Sequence, residues 1–162
     1  MSLQNLVGVS LEVIAPHKET VRRLLAAAAR HIADAKLNAV SAETRFSSAY
    51  TAIRMLADVG LHANGFRTLT SKPGHHQTAI QTLPKSLDVD SQTVIRLDKL
   101  RKQRNLTEYT GDIIPESAVS ECLAQAESLH SPKSWKHAHS RAPRIVGRCR
   151  YREWMNRSLL AM

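Results

Sequence analysis

The densest run of chemically capable side chains is Arg101-Lys102-Gln103-Arg104-Asn105-Leu106-Thr107-Glu108-Tyr109. Residues three or four apart share a helix face, so Arg101, Arg104, Asn105 and Glu108 fall in one polar stripe. Tyr109 lies above Asn105 at the end of that helix. Guanidinium, amide and phenol donors in one patch suit a phosphate or a nucleotide, because arginine donates charge-assisted hydrogen bonds to phosphate oxygens. The same spacing also fits a solvated helix face, where an Arg104–Glu108 pair is worth roughly a few tenths of a kcal/mol.

Five helical segments can be read around this run from apolar periodicity and punctuation. The first covers residues 18–38, after the break at Pro16, with Val21, Leu24, Leu25, Ala28, Ile32 and Ala35 on one face. The second covers 42–63, with Ser41 as its N-cap, Thr44 where a capping-box glutamate would sit, and Asn64-Gly65 at its end. A loop over 66–74 contains the turn signal Lys72-Pro73-Gly74, and a third, shorter helix covers 75–87. The fourth runs from Ser91 to about Tyr109, with Val94, Leu97 and Leu100 inward, and Gly111 stops it. Pro115 opens the fifth, whose apolar face is Val119, Cys122, Leu123, Ala126 and Leu129. The opening stretch, 3–14, reads as a short helix or an extended arm. Long helices joined by short loops predict an all-α, antiparallel four- to five-helix bundle over residues 1–130, with a basic tail over 131–162.

Composition limits the function classes. The chain has 162 residues, 43% hydrophobic and 23% charged, a globular mixture. Aromatics make only 4%, which favours an alanine- and leucine-rich helical core over a β-sandwich. Of the formal net charge of +9, residues 131–162 carry +7: eight Lys and Arg against Glu153. That tail, with Trp135, Tyr151 and Trp154, suits a polyanion partner, with charges on phosphates and rings on bases. A solvated, frayed terminus has the same composition. Cys122 and Cys149 form no CxxC pair and no disulfide framework. No apolar run is long enough to span a bilayer, and no secretory signal opens the chain. A cytoplasmic protein is the expectation. Walker loops, GxGxxG turns, GxSxG elbows and HExxH pairs are absent, which argues against NTPases, dinucleotide oxidoreductases, α/β-hydrolases and zincins.

The order Arg104-Asn105-x-x-x-Tyr109 near a helix end resembles the motif region of the HEPN domain family, whose typical motif is an arginine, often a polar neighbour, and a histidine four to six residues on. The stretch Ser41-Ala42-Glu43-Thr44-Arg45-Phe46-Ser47-Ser48-Ala49-Tyr50 resembles the second-helix pattern of such domains. Asn64-Gly65-Phe66-Arg67 and Gly74-His75-His76 are similar to the loop and third-helix start of small bacterial members. The resemblance covers residues 18–129 and leaves the tail aside. It implies a dimeric helical bundle with motif helices facing each other across a cleft. It also implies RNA or a nucleotide as ligand, a toxin–antitoxin or defence setting, and an antitoxin or nucleotidyltransferase as partner. Many members are metal-independent ribonucleases. On that pattern Arg104 meets the scissile phosphate, Asn105 orients it, and Tyr109 occupies the histidine place. With an ordinary pKa near 10, a tyrosine there is a poor base at neutral pH, but it can donate a hydrogen bond. An RNA- or nucleotide-binding module is therefore the first expectation and a metal-independent endoribonuclease the second. A scaffold binding nucleic acid through its tail is the third.

Further residues join as candidates. Arg101 extends the basic patch. Arg45, on the helix expected beside the motif helix, could add a second guanidinium at the phosphate, or form an ion pair with Glu43 or another acid. His75 and His76 are adjacent and so point about 100° apart on a helix, too far round to chelate one metal. They cap the third helix or reach the cleft to supply the imidazole the motif lacks. His31 reads as a packed histidine, and His137-x-His139 as a weak metal signal. No metal and no cofactor is expected.

Overall fold

A computed structural model describes residues 2–131. The basic tail, with its aromatics, Cys149, His137 and His139, lies outside the described residues. Six α-helices carry the fold: α1 (Lys18–Ala35), α2 (Ala42–Ala63), α3 (His75–Gln81), α4 (Leu83–Ser86), α5 (Ser91–Thr110) and α6 (Glu116–His130). The chain is mostly helical, as its composition predicts, but not wholly so. A 3-10 turn at Leu3–Leu6 leads into strand β1 (Leu11–Val13), which pairs antiparallel with β2 (Phe66–Thr68). Residues 66–68, read as loop from the sequence, are thus a strand. Three-residue strands leave too little alternation to recognise, and the pair is fixed by burying Leu11 and Phe66 and by the cross-strand Arg67–Glu12 bridge of 2.6 Å.

Local chemistry sets the helix ends. Ser41 Oγ accepts the Thr44 N–H at 3.2 Å to start α2, and Asp90, one residue before the expected start, accepts the Thr93 N–H at 2.9 Å to start α5. Gly111, at φ +70°, closes α5 in the left-handed conformation that glycine adopts without strain. The helix expected over 75–87 divides at Thr82. Pro84 has no N–H and its ring crowds the carbonyl four residues earlier, so the ladder cannot run through. The Thr82 hydroxyl donates to the carbonyls of Thr78 and Ala79, at 3.0 and 2.9 Å.

Helix α2 is the centre of the molecule, packing against α1, α6 and the α3–α5 side. Val21, Leu25 and Ile32 of α1, Phe46, Ile53 and Leu56 of α2, and Val119, Cys122 and Leu129 of α6 share one core. Each such side chain contributes about 1.5–3 kcal/mol by leaving water. Burial pushes the Cys122 thiol up to about 12, so it behaves as an inert apolar group. At the far end the α2 backbone at Gly60 packs directly against side chains at the end of α4. A Cβ on Gly60 would lie 2.7 Å from Leu87 Cγ and 3.0 Å from Ser86 Oγ. Beside that contact, Asn64 Nδ2 donates to the Gly60 and Ser86 carbonyls at 2.7 and 3.0 Å. Helix α5 is held more lightly, with only Leu97 and Leu100 fully buried.

Candidate functional site

Three helices converge on one cationic cluster. From α2, Tyr50, Arg54 and Asp58 stand one turn apart on the face turned to α3 and α5. From α5 come Asp98, Arg101 and Arg104, and from the first turn of α3 come His75 and His76. The guanidinium of Arg104 lies over the Tyr50 ring, 5.4 Å from its centroid, a cation–π distance. Its Nη2 pairs with Glu108 at 2.6 Å, and its side chain keeps 24% exposure. Arg101 Nε is 2.8 Å from Asp98, which also receives Lys102 at 3.0 Å, and Arg54 is 3.4 Å from Asp58.

Two buried polar atoms in this cluster have no hydrogen-bond partner among the described residues: Arg104 Nε and the Tyr50 hydroxyl. Tyr50 is only 2% exposed. Burial pushes its hydroxyl up to about 12, against the pull of Arg104, Arg101 and Arg54, so it remains a protonated donor at neutral pH. A buried donor without an acceptor costs about 1–3 kcal/mol.

The histidines are electrostatically unequal. Burial first, then His75, Arg54, Arg104 and Arg101, push His76 down to about 4. It is therefore a neutral imidazole at pH 7, with three guanidiniums acting on its ring. His75 stacks edge-to-face on it, centroids 4.3 Å apart, and its Nδ1 is 3.3 Å from the Lys72 carbonyl oxygen. Asp58 is raised by burial, while Arg54 and then His75 draw it back.

The residues singled out from the sequence thus separate. Arg101, Arg104, His75 and His76 come together. Asn105 and Tyr109 point outward; Tyr109 is 89% exposed and takes no part in the cluster within the chain. The single polar stripe read along this helix is in fact two, because positions 101 and 104 turn toward α2 while 105 and 109 turn away. Arg45 is committed elsewhere. Its Nε donates to the Ala35 carbonyl at 3.2 Å and its Nη1 to both Glu116 carboxylate oxygens at 3.0 Å, which joins the end of α1 to the start of α6. Glu116, not Glu43, is its acid.

Sequence reasoning did not single out Arg54 or the hydroxyl of the core residue Tyr50 as part of the site. The available signal was Tyr50-x-x-x-Arg54-x-x-x-Asp58, three polar-tipped residues at helical spacing beside an apolar stripe. Behind Arg104, away from His76, lies a cavity of about 380 Å³ bounded by the start of α2, the end of α5 and residues 111–114.

Among the described residues no group of three or more His, Cys, Asp or Glu is placed to hold a metal, and no helix is long and apolar enough to cross a membrane. The cluster's donors are guanidinium, phenol and imidazole, a set suited to an anion of the size and charge of phosphate. Compared with protein-family models, curated proteins and solved structures, the chain matches none.

Proposed function

We propose that the chain is a HEPN-type RNA- or nucleotide-binding protein that grips phosphate with Arg104, supported by Arg101 and Arg54. The observation carrying this reading is the buried Nε of Arg104, without a partner among the described residues, set beside two further guanidiniums and above the ring of Tyr50. An anion beside Arg104 would accept from Nε through a charge-assisted hydrogen bond. The Arg104-Asn105-x-x-x-Tyr109 resemblance supports the same ligand class independently. The biological setting that follows from it is a toxin–antitoxin or defence system in the cytoplasm, with the chain as a homodimer and an antitoxin or nucleotidyltransferase as partner.

One observation favours a second reading, metal-independent ribonuclease. His76 supplies a neutral imidazole where the family resemblance leaves only Tyr109. In that reaction the ribose 2′-hydroxyl attacks the adjacent phosphorus and its proton passes to His76. The bond to the 5′-oxygen breaks, that oxygen takes a proton from solvent and leaves as a 5′-hydroxyl, and a 2′,3′-cyclic phosphate remains. Arg104 stabilises the pentavalent phosphate through charge. A base with a conjugate-acid pKa near 4 is weak, but the bound phosphate's negative charge raises that value toward the neutral range.

The deciding experiment incubates the full chain with a mixed RNA pool in excess EDTA, beside Arg104→Ala and His76→Asn. RNA binding lost in Arg104→Ala, without cleavage by the parent chain, supports the binding reading. Cleavage lost in both variants supports the ribonuclease. Binding that survives Arg104→Ala unchanged overturns both and moves the interaction to the tail.

A further inference from the structure

Resting on the phosphate-binding reading, we propose that the cavity behind Arg104 receives a nucleobase and selects guanine. Arg104 joins the two sites, since it lines the cavity while its charge acts on His76 and Tyr50. The volume of about 380 Å³ lies in the range of small-ligand sites, about 300–1,000 Å³. The floor is apolar, formed by buried Phe46 and Ile114, and the Ser47 side chain stands at the wall. An apolar floor suits a flat heterocycle.

Charge then fixes which end of a nucleotide enters. Apart from Arg104, every charged residue lining the cavity is acidic: Glu43, Glu108 and Asp112. Backbone hydrogen bonds, from Glu43's own N–H and then from Ile114, hold Glu43 below the usual carboxylate range, so it is charged at neutral pH. Such a cavity repels phosphate and attracts hydrogen-bond donors. The base therefore faces the acids and the phosphate faces the arginines.

The three carboxylates are not equally free. Glu108 is paired with Arg104, and one oxygen of Glu43 accepts the Ile114 N–H at 3.3 Å. Asp112 has one oxygen on the Thr110 hydroxyl at 2.6 Å and forms no ion pair among the described residues. Its other oxygen, and the second lone pair of the oxygen facing Thr110, are the acceptors left for a ligand. Guanine alone among the four bases offers two adjacent donors, N1–H and the 2-amino group, along its Watson–Crick edge. Adenine and cytosine each place an acceptor beside their amino group, and uracil flanks one N–H with two carbonyls. A carboxylate that accepts from both donors discriminates for guanine through charge-assisted hydrogen bonds.

The test is calorimetric titration of the full chain with the 5′-monophosphates of guanosine, adenosine, cytidine and uridine, and with inorganic phosphate. The guanosine nucleotide should bind at least tenfold more tightly than the adenosine nucleotide and inorganic phosphate. Asp112→Asn, at an exposed loop position, should remove that advantage and leave phosphate affinity within twofold. Ser47→Leu, which fills the cavity, should reduce every nucleotide to the level of phosphate. Four nucleotides binding alike, each no tighter than phosphate, overturn the base pocket but leave the phosphate reading intact. Tighter binding of spermidine than of any nucleotide, lost in Asp112→Asn, overturns it in favour of a cationic ligand. If inorganic phosphate and all four nucleotides fail to bind, the phosphate reading falls and takes this one with it.

Discussion

Helices α2 and α5 have nearly the same length, 22 and 20 residues, yet α2 buries ten residues and α5 buries two. The difference separates two tasks. Helix α2 is anchored on several sides and supplies rigid positions; α5 rests on Leu97 and Leu100 and gives most of its surface to charge. The site forms where they meet, because Tyr50 and Arg54 of the rigid helix fix where Arg101 and Arg104 of the polar one can lie. A guanidinium over an immobile ring loses less freedom on binding an anion than one on a free helix face.

The largest test of this division is energetic. Leu56→Ala on α2 should cost about 3 kcal/mol of unfolding free energy. Leu106→Ala, on the exposed side of α5, should stay within about 0.5 kcal/mol. Denaturant melts of both variants measure this, and equal costs would erase the contrast between the helices. Next comes the contrast between the faces of α5 itself. Arg104→Ala should weaken phosphate or RNA binding about tenfold to a hundredfold, the weight of a hydrogen bond to a charged group. Asn105→Ala and Tyr109→Phe should change it less than about twofold. A tenfold loss in Tyr109→Phe would extend the site onto the outer face.

How much of this was readable in the sequence depends on period. The apolar repeats of α1, α2 and α6 span several turns, so residues such as Val21, Ile53 and Val119 declare their burial without the fold. Phe66–Thr68 is too short to show alternation, and its partner strand lies more than fifty residues away. Arg101 and Arg104 were legible as candidates by type, and His76 as one of two adjacent histidines. Their grouping with Arg54 was not legible. A single arginine on a mostly apolar helix has the same local sequence whether it reaches solvent or another helix. The relative rotation of α2, α3 and α5 decides that, and it comes from tertiary packing.

A smaller effect concerns pH. The folded value of about 4 for His76 lies below its ordinary 6.5, so the unfolded chain takes up the proton first as pH falls. The stability tied to the neutral ring is complete above pH 6.5 and is lost progressively down to about pH 4. His62 and His130, both lowered chiefly by burial, act in the same direction. For the half-exposed His76 the loss should be about 1 kcal/mol after allowance for solvent screening. Melting the parent chain and His76→Asn between pH 7 and 4 measures it; identical pH profiles would remove His76 from the cluster. Saturating inorganic phosphate should also move the His76 ring titration upward by NMR, since a nearby anion favours the imidazolium. The smallest effect is expected at the rim. Glu108→Gln should lower stability by only about 0.3 kcal/mol. By releasing Arg104 it should strengthen phosphate binding about two- to threefold, and weaker binding would mean that Glu108 holds the guanidinium in place.

The close contact at Gly60 has a consequence far from where it sits. Helix α4 is clamped to the end of α2 there, and α3, which carries His76, continues from α4 with only Thr82 between them. The pair behaves as a lever: its foot is fixed beneath Leu87 and Ser86, and its working end holds the imidazole beside Arg104. A single methyl at the foot, as in Gly60→Ala, would press on Leu87 Cγ and Ser86 Oγ, so one of the two must give way. A buried position that touches neither His76 nor Arg104 thus bears on the helix that presents the imidazole.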